Sequence, residues 1–218
     1  MIQKQENPKQ KGLNRDKAII KAIEDYQALN TEQVRVMFFD RIDCGQRKAQ
    51  ERLLKLHRSG KLKRKKIDDI YTYYIDKQPG MTKHLIATNW VRIWSYKNLP
   101  SWEKLHSWNY EQDYKILRCD GFIAVRNAMK DSYRFIFVEM DMNTNPFDKV
   151  IKYNKLFESE KYSHWWWVSL TERFPPILIV TLDSNRKKAI QGIVEGQNKN
   201  DLEFQVKLLD EIKREVLK

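Results

Sequence analysis

Three carboxylates are spaced so that they could do chemistry together. Asp120 precedes the run Tyr133 to Asp141, YRFIFVEMD, in which Glu139 and Asp141 stand two residues apart. Side chains alternate along a strand, so Tyr133, Phe135, Phe137, Glu139 and Asp141 share one face, and Arg134, Ile136, Val138 and Met140 the other. A strand apolar on both faces belongs at the centre of a sheet covered on both sides. Two carboxylates at its end would point the same way. Burying like charges side by side is costly unless something positive offsets them. A divalent metal ion is one such offset and a nearby Lys or Arg another. A solvated strand end that binds nothing is the third possibility, and spacing alone leaves all three open.

The surrounding elements must position these acids. Met81 to Trp94 reads as a helix. A lysine-and-aromatic stretch follows, through Trp102, Trp108, Tyr110 and Tyr114; its rings suit packing, and stacking on single-stranded bases is the alternative. Ile116 to Val125 reads as a strand interrupted at Cys119-Asp120-Gly121, and Asn127 to Asp131 as a turn. Asn145-Pro146 opens a helix to about Glu158, Asn as cap and Pro in the first turn. Trp165, Trp166, Trp167, Val168 and Leu170 read as an apolar strand, and Pro176 to Leu182 as a buried one. Ser184 caps a helix through about Val194. Asp201 to Lys218 reads as a last amphipathic helix with Leu202, Val206, Leu209, Ile212 and Val216 on its stripe. That stripe either docks on its own core or pairs two copies in a homodimer. Strands alternating with helices after residue 81 predict a mixed α/β sheet.

The first part of the chain has a different plan. Residues 1–13 read as a disordered basic arm. Arg15 to Tyr26 reads as a helix, with Asn14 as its cap and Ala18, Ile19, Ala22, Ile23 and Tyr26 on one face. Asn30 or Thr31 can cap a second helix, Glu32 to Phe38. A third runs from about Gln46 to Arg58, with Gly60 placed to stop it. Lys61 to Ile67, a turn at Asp68-Asp69, and Ile70 to Ile75 read as a hairpin. Three short helices and a hairpin are the winged helix-turn-helix plan. In that plan the third helix offers polar and basic side chains to the major groove, here Gln46, Arg47, Lys48, Arg52 and Lys55. The wing tracks phosphates, here with Lys63, Arg64, Lys65 and Lys66. Gln78-Pro79-Gly80 is the expected boundary.

Composition agrees with an anionic partner. The 218 residues carry a net charge of +12, and the sequence pI is about 9.5, which suits nucleic acid or an acidic membrane surface. Mean hydropathy is −0.72, yet seven Trp, ten Tyr and nine Phe can supply a core. No run approaches a membrane span, and the polar N-terminal stretch has no apolar segment of the signal-peptide type. Two cysteines, Cys44 and Cys119, make neither a disulfide framework nor a CxxC zinc pattern. A reducing, cytoplasmic location is the resulting expectation.

Asp120-Gly121, then Glu139-x-Asp141-x-x-Thr144 about one hairpin later, then a basic helix, resembles the replication-relaxation proteins of plasmids and mobile elements. The winged helix ahead of it, His84, and a late strand (Leu178 to Leu182) followed by Arg186 also fit. The resemblance covers roughly Arg15 to Arg186. It implies a second domain like the restriction-endonuclease core, the PD-(D/E)XK fold. In active members of that fold an Asp and a second acid hold Mg²⁺, and a Lys two residues on orients or activates water. Asp120 and Glu139 match the acids. Cys119 departs from the usual Pro, and Asp141 stands where the Lys should be.

Some members carry the Lys on the following helix. A wheel phased from Phe147, Val150, Ile151 and Phe157 puts Lys152 nearly opposite the apolar side, with Lys149 and Lys155 flanking the polar side. No lysine is in phase with the sheet on that wheel, so Asp120, Glu139 and Asp141 are expected to bind metal weakly or not at all. Lys152 is the catalytic candidate only if the site is active. The expected architecture is α/β: an arm at 1–13, a winged helix-turn-helix domain at 14–79, a PD-(D/E)XK-like domain at 80–200 and a C-terminal helix at 201–218. Three functions compete. One is a non-enzymatic DNA-binding accessory protein of a plasmid or mobile element, meeting double-stranded DNA and replication or relaxase proteins. The second is a Mg²⁺-dependent DNA endonuclease guided by its winged helix. The third is a transcriptional repressor.

Overall fold

A computed structural model describes residues 7–217. The described residues form seven α-helices with a three-stranded and a five-stranded sheet, a mixed α/β fold. The chain divides into two compact units between Asn89 and Trp90, inside a helix rather than at Gln78-Pro79-Gly80.

The first unit comprises α1 (Pro8–Asp25), β1 (Leu29–Asn30), α2 (Thr31–Phe38), α3 (Gly45–Arg58) and the hairpin β2 (Lys63–Ile67) and β3 (Ile70–Tyr74). Helix α1 buries Ile19, Ala22 and Ile23, and Tyr26 is buried just after it. It starts at Pro8, a residue with no N–H to lose in a first helical turn. The helix therefore runs through residues 8–13, which were expected in the disordered arm, and Asn14 lies inside it instead of capping it. Residues 1–6 of the expected arm lie outside the described residues. Asn30 caps α2 in a reciprocal box with Gln33. Asp68 and Asp69, at φ of 47° and 64°, form the two-residue turn that joins Ile67 to its partner Ile70. Strand β1, short enough to escape a periodicity search, pairs with β3 and gives the order β1-β3-β2.

The division falls within α4 (Thr82–Lys97). The second unit continues through β4 (Glu103–Tyr110), β5 (Gly121–Asn127), β6 (Ser132–Asp141), α5 (Lys149–Ser159), β7 (Ile177–Thr181), α6 (Ser184–Gln197), β8 (Phe204–Leu208) and α7 (Leu209–Val216). Strands β4, β5 and β6 form an antiparallel meander, and β6, β7 and β8 run parallel, in the order β4-β5-β6-β7-β8. The YRFIFVEMD strand is thus central. One sheet face packs Phe122, Phe135, Phe137 and Ile179 against Tyr153 and Leu156 of α5 and Ile190 of α6. Helices α4 and α7 are tied to each other by Trp94 Nε1 donating to Glu215 and by Lys213 over the Trp90 ring.

Three segments depart from the sequence reading. The lysine-and-aromatic stretch is an edge strand, β4, with Trp108 buried. The triple-tryptophan segment is a turn and a 3₁₀ segment, Val168–Leu170, not a strand. Trp167 there is buried and stacks on Tyr162. The last segment is a strand and then a helix, not one helix. Phe204, Val206 and Leu208 alternate as well as Leu202, Val206 and Leu209 recur helically. Parallel pairing to the wholly buried β7 gives that strand's backbone groups partners they would otherwise lack. Leu202, Leu209, Ile212 and Val216 are buried and Val206 is half-buried, so most of the stripe is covered without a second copy. Among the described residues no helix is long and apolar enough to cross a membrane.

Candidate functional site

Gly121 opens β5 where Trp108 of β4 lies across it. A Cβ there would sit 2.6 Å from the Trp108 ring, so only glycine fits unless the ring moves. Asp120, one residue earlier, is the last position before the ladder. Strand β6 runs on past the end of β5, and Asp120 Oδ2 accepts the Met140 N–H at 2.7 Å in place of a strand partner. The Asp120-Gly121 pair thereby fixes one carboxylate beside the end of β6.

Glu139 is buried under α5. Its Oε1 accepts from the Tyr153 hydroxyl at 2.7 Å. Lys149 Nζ lies 2.6 Å from Oε2, angled as an ion pair and not as an aligned hydrogen bond. Lys149 also donates to the Arg118 carbonyl at 2.8 Å. Burial pushes the Glu139 carboxyl up to about 8; Lys149 opposes that shift and the Asp120 carboxylate adds to it. Burial works against the Lys149 charge, but Glu139 and Asp120 outweigh it and hold the ammonium above its ordinary value. Burial likewise pushes the Cys119 thiol and the Tyr153 phenol up.

The lysine facing the sheet is therefore Lys149, and the wheel that excluded it was phased on the wrong residues. Helix α5 begins at Lys149, so Phe147 precedes it, and Ile151 is exposed. The buried face is Val150, Tyr153, Asn154 and Leu156. Lys149 stands one turn before Tyr153, about 40° away around the helix, and both reach Glu139. Lys152 instead pairs with Asp148 at 2.6 Å on the surface. A wheel phased on Tyr153 and Leu156 puts Lys149 within about 40° of both.

Asp141 is engaged differently. Arg186 of α6 grips it with two hydrogen bonds, Nε to Oδ2 at 2.8 Å and Nη2 to Oδ1 at 2.9 Å, and Thr181 donates to Oδ2 at 3.0 Å. Arg186 also donates to the Asn145 carbonyl at 2.6 Å, tying down the loop before α5. Asp183, not Ser184, caps α6. Glu139 and Asp141 thus have different cationic partners, Lys149 and Arg186. Among the described residues no cluster of three or more His, Cys, Asp or Glu is placed to hold a metal ion. Glu139 is held by Lys149 and Tyr153, and Asp141 by Arg186 and Thr181, so a metal ion would have to displace these partners.

The first unit presents the second candidate surface. Helix α3 buries Gly45, Ala49, Leu53 and Leu56 and exposes Gln46, Arg47, Gln50, Lys55 and Arg58. From Gln46 to Lys66 there are ten Lys and Arg against Glu51 alone. Arg47 and Lys48 both approach Glu51, at 3.6 and 3.3 Å. Arg52 turns inward: it pairs with the buried Asp16 at 2.8 Å and donates to the Gly12 carbonyl at 2.7 Å, which locks α3 onto α1. Its expected place on a ligand-facing surface is therefore taken by a structural role. Lys63, Lys65 and Lys66 are exposed on β2, and Arg64 lies 4.1 Å over the Tyr71 ring. Lys55 and Lys65 have no acidic partner among the described residues. His84 lies on α4 within the first unit. Comparisons with protein-family models, with curated proteins and with solved structures find no match.

Proposed function

We propose that this protein binds double-stranded DNA through its first unit and does not cleave it. On this reading it is an accessory or regulatory protein of a plasmid or mobile element, acting in replication, relaxation or mobilisation. The plasmid context rests on the family resemblance alone. The observation that carries the DNA-binding reading is the exposed cationic surface of α3 and β2, placed after α1 and α2 and beside a hairpin closed by β1. That order of elements suits a winged helix-turn-helix. The order α4-β4-β5-β6-α5-β7, with Asp120 and Glu139 at adjacent strand ends, suits a restriction-endonuclease-like core. Its acids are held by Lys149, Tyr153 and Arg186, which favours a fold retained for structure or assembly.

Phosphate contacts release counterions, so affinity should fall steeply with salt, with a log–log slope of roughly −0.9 per phosphate neutralised. Replacing Lys63, Arg64, Lys65 and Lys66 by Ala should weaken binding on every sequence and flatten that slope. An unchanged affinity and slope in this variant would place the DNA surface elsewhere. A footprint at an origin or transfer region supports the accessory role, and one at its own promoter supports a repressor.

The endonuclease reading has one observation in its favour, Lys149 against Glu139 at the position a helix-borne lysine would need. It requires Glu139 to exchange Lys149 and Tyr153 for a metal ion. Nicking of supercoiled plasmid in Mg²⁺ or Mn²⁺ that is lost on Lys149→Ala would establish it.

A further inference from the structure

We infer that Gln46 and Gln50 are the base-reading pair of α3 and that they select adenine in the major groove. The inference rests on the DNA-binding reading and adds to it the class of sequence recognised. Both amides are exposed in the N-terminal half of α3, the half that meets base edges when such a helix enters the groove. They lie one turn apart on one side of the helix. The next residue in that row, Leu54, lines the same groove, with Thr31, Glu32, Arg64, Asp69 and Tyr71 on its other walls.

Contacts from the surrounding cations to phosphate would position the helix without reading sequence. Arg47 and Lys48 share Glu51, and Arg52 is committed to Asp16. A neutral amide adds little to phosphate attraction. It donates and accepts through one planar group, which matches the N6 donor and N7 acceptor of adenine. Elsewhere in the chain the buried amides are used internally: Gln33 bonds the Ile86 carbonyl, Asn89 the Tyr26 and Ala28 carbonyls, and Asn154 the Lys199 and Asn200 N–H groups. The side-chain amides of Gln46 and Gln50 make no hydrogen bond to any described residue. Leu54 extends the row with an apolar surface of the kind that meets a thymine methyl, the mark of the same A·T pair.

The two Cα atoms are roughly 6 Å apart along the helix axis, at about 1.5 Å per residue. Base pairs rise about 3.4 Å, so the amides address positions about two steps apart.

The test uses the full chain. Binding sites are selected from a pool of randomised duplexes, and affinity is then measured on the selected duplex and on a scrambled one by fluorescence anisotropy. The selected site should carry adenines at two positions about two steps apart. Gln50→Ala should bind the selected duplex roughly tenfold more weakly, with its affinity for the scrambled duplex and its melting temperature unchanged. Gln50→Arg should move the preference at one position from adenine to guanine, which Arg reads through O6 and N7. A selected site without those adenines, equal weakening on both duplexes, or a preference unmoved by Gln50→Arg would overturn the inference. Wild-type protein that binds every duplex alike overturns this inference only. Wild-type protein that binds no duplex even at low salt overturns the DNA-binding reading with it.

Discussion

Glu139 should make stability depend on pH. In the unfolded chain its carboxyl titrates near 4.5, and in the folded protein burial raises it to about 8. The folded state holds the proton more tightly, so this group's contribution is complete below about pH 4.5 and is lost as pH rises toward 8. The loss is at most about 1.4 kcal/mol per pH unit. Glu139→Gln keeps a partner for Tyr153 and removes the titration, so its melting temperature should be flatter than wild type between pH 5 and 8. Parallel curves for the two proteins would show that Glu139 does not titrate in this window. Lys149→Met should cost about 3 kcal/mol above pH 8, where it strands a buried carboxylate, and less at pH 6, where Glu139 can be neutral. Urea titrations at the two pH values measure the difference.

Among the elements, the β4–β5 junction and the chain's last two elements carry the sharpest expectations. Gly121→Ala puts a methyl group into the Trp108 ring and should destabilise the second unit by about 1–3 kcal/mol, read as a lower urea midpoint. A chain ending at Gly196 loses β8 and α7, and with them the partner of β7 and the buried Ile212 and Val216. It should lose near-ultraviolet circular dichroism and expose apolar surface to dye. A truncated protein that stays folded and merely changes from dimer to monomer in light scattering would contradict the intramolecular role of α7.

For the whole molecule, the net charge of +12 and the partnered carboxylates lead to one expectation about DNA. Supercoiled plasmid should survive incubation with the protein in Mg²⁺ or Mn²⁺. The Asp120→Ala, Glu139→Ala double mutant should bind DNA as wild type does, because the cationic surface belongs to the first unit. A metal titration should leave the melting temperature in place. A bound metal would raise stability by about 2.7 kcal/mol at a hundredfold excess over its dissociation constant.

Local sequence determined much of this protein. The period-2 run of β6, the capping pair Asn30 and Gln33, the Asp68-Asp69 turn and the basic face of α3 are set by residues close in the chain, so they could be read from it. What the tertiary structure decided depends on partners far away. Leu202 to Val216 fits a helical stripe and an alternating strand alike, and the bare edge of β7 selects the strand for its first part. The tryptophans at 165–167 pack as a turn because Tyr162 is there to stack on Trp167. Arg52 looks like a ligand-facing cation until Asp16, on another helix, claims it. Lys149 faces Glu139 because the buried face of α5 runs through Tyr153 and Leu156, not through Phe147 and Ile151. Phe147 and Ile151 are as apolar in the sequence as Tyr153 and Leu156, and only packing against the sheet selects which of them form the buried face.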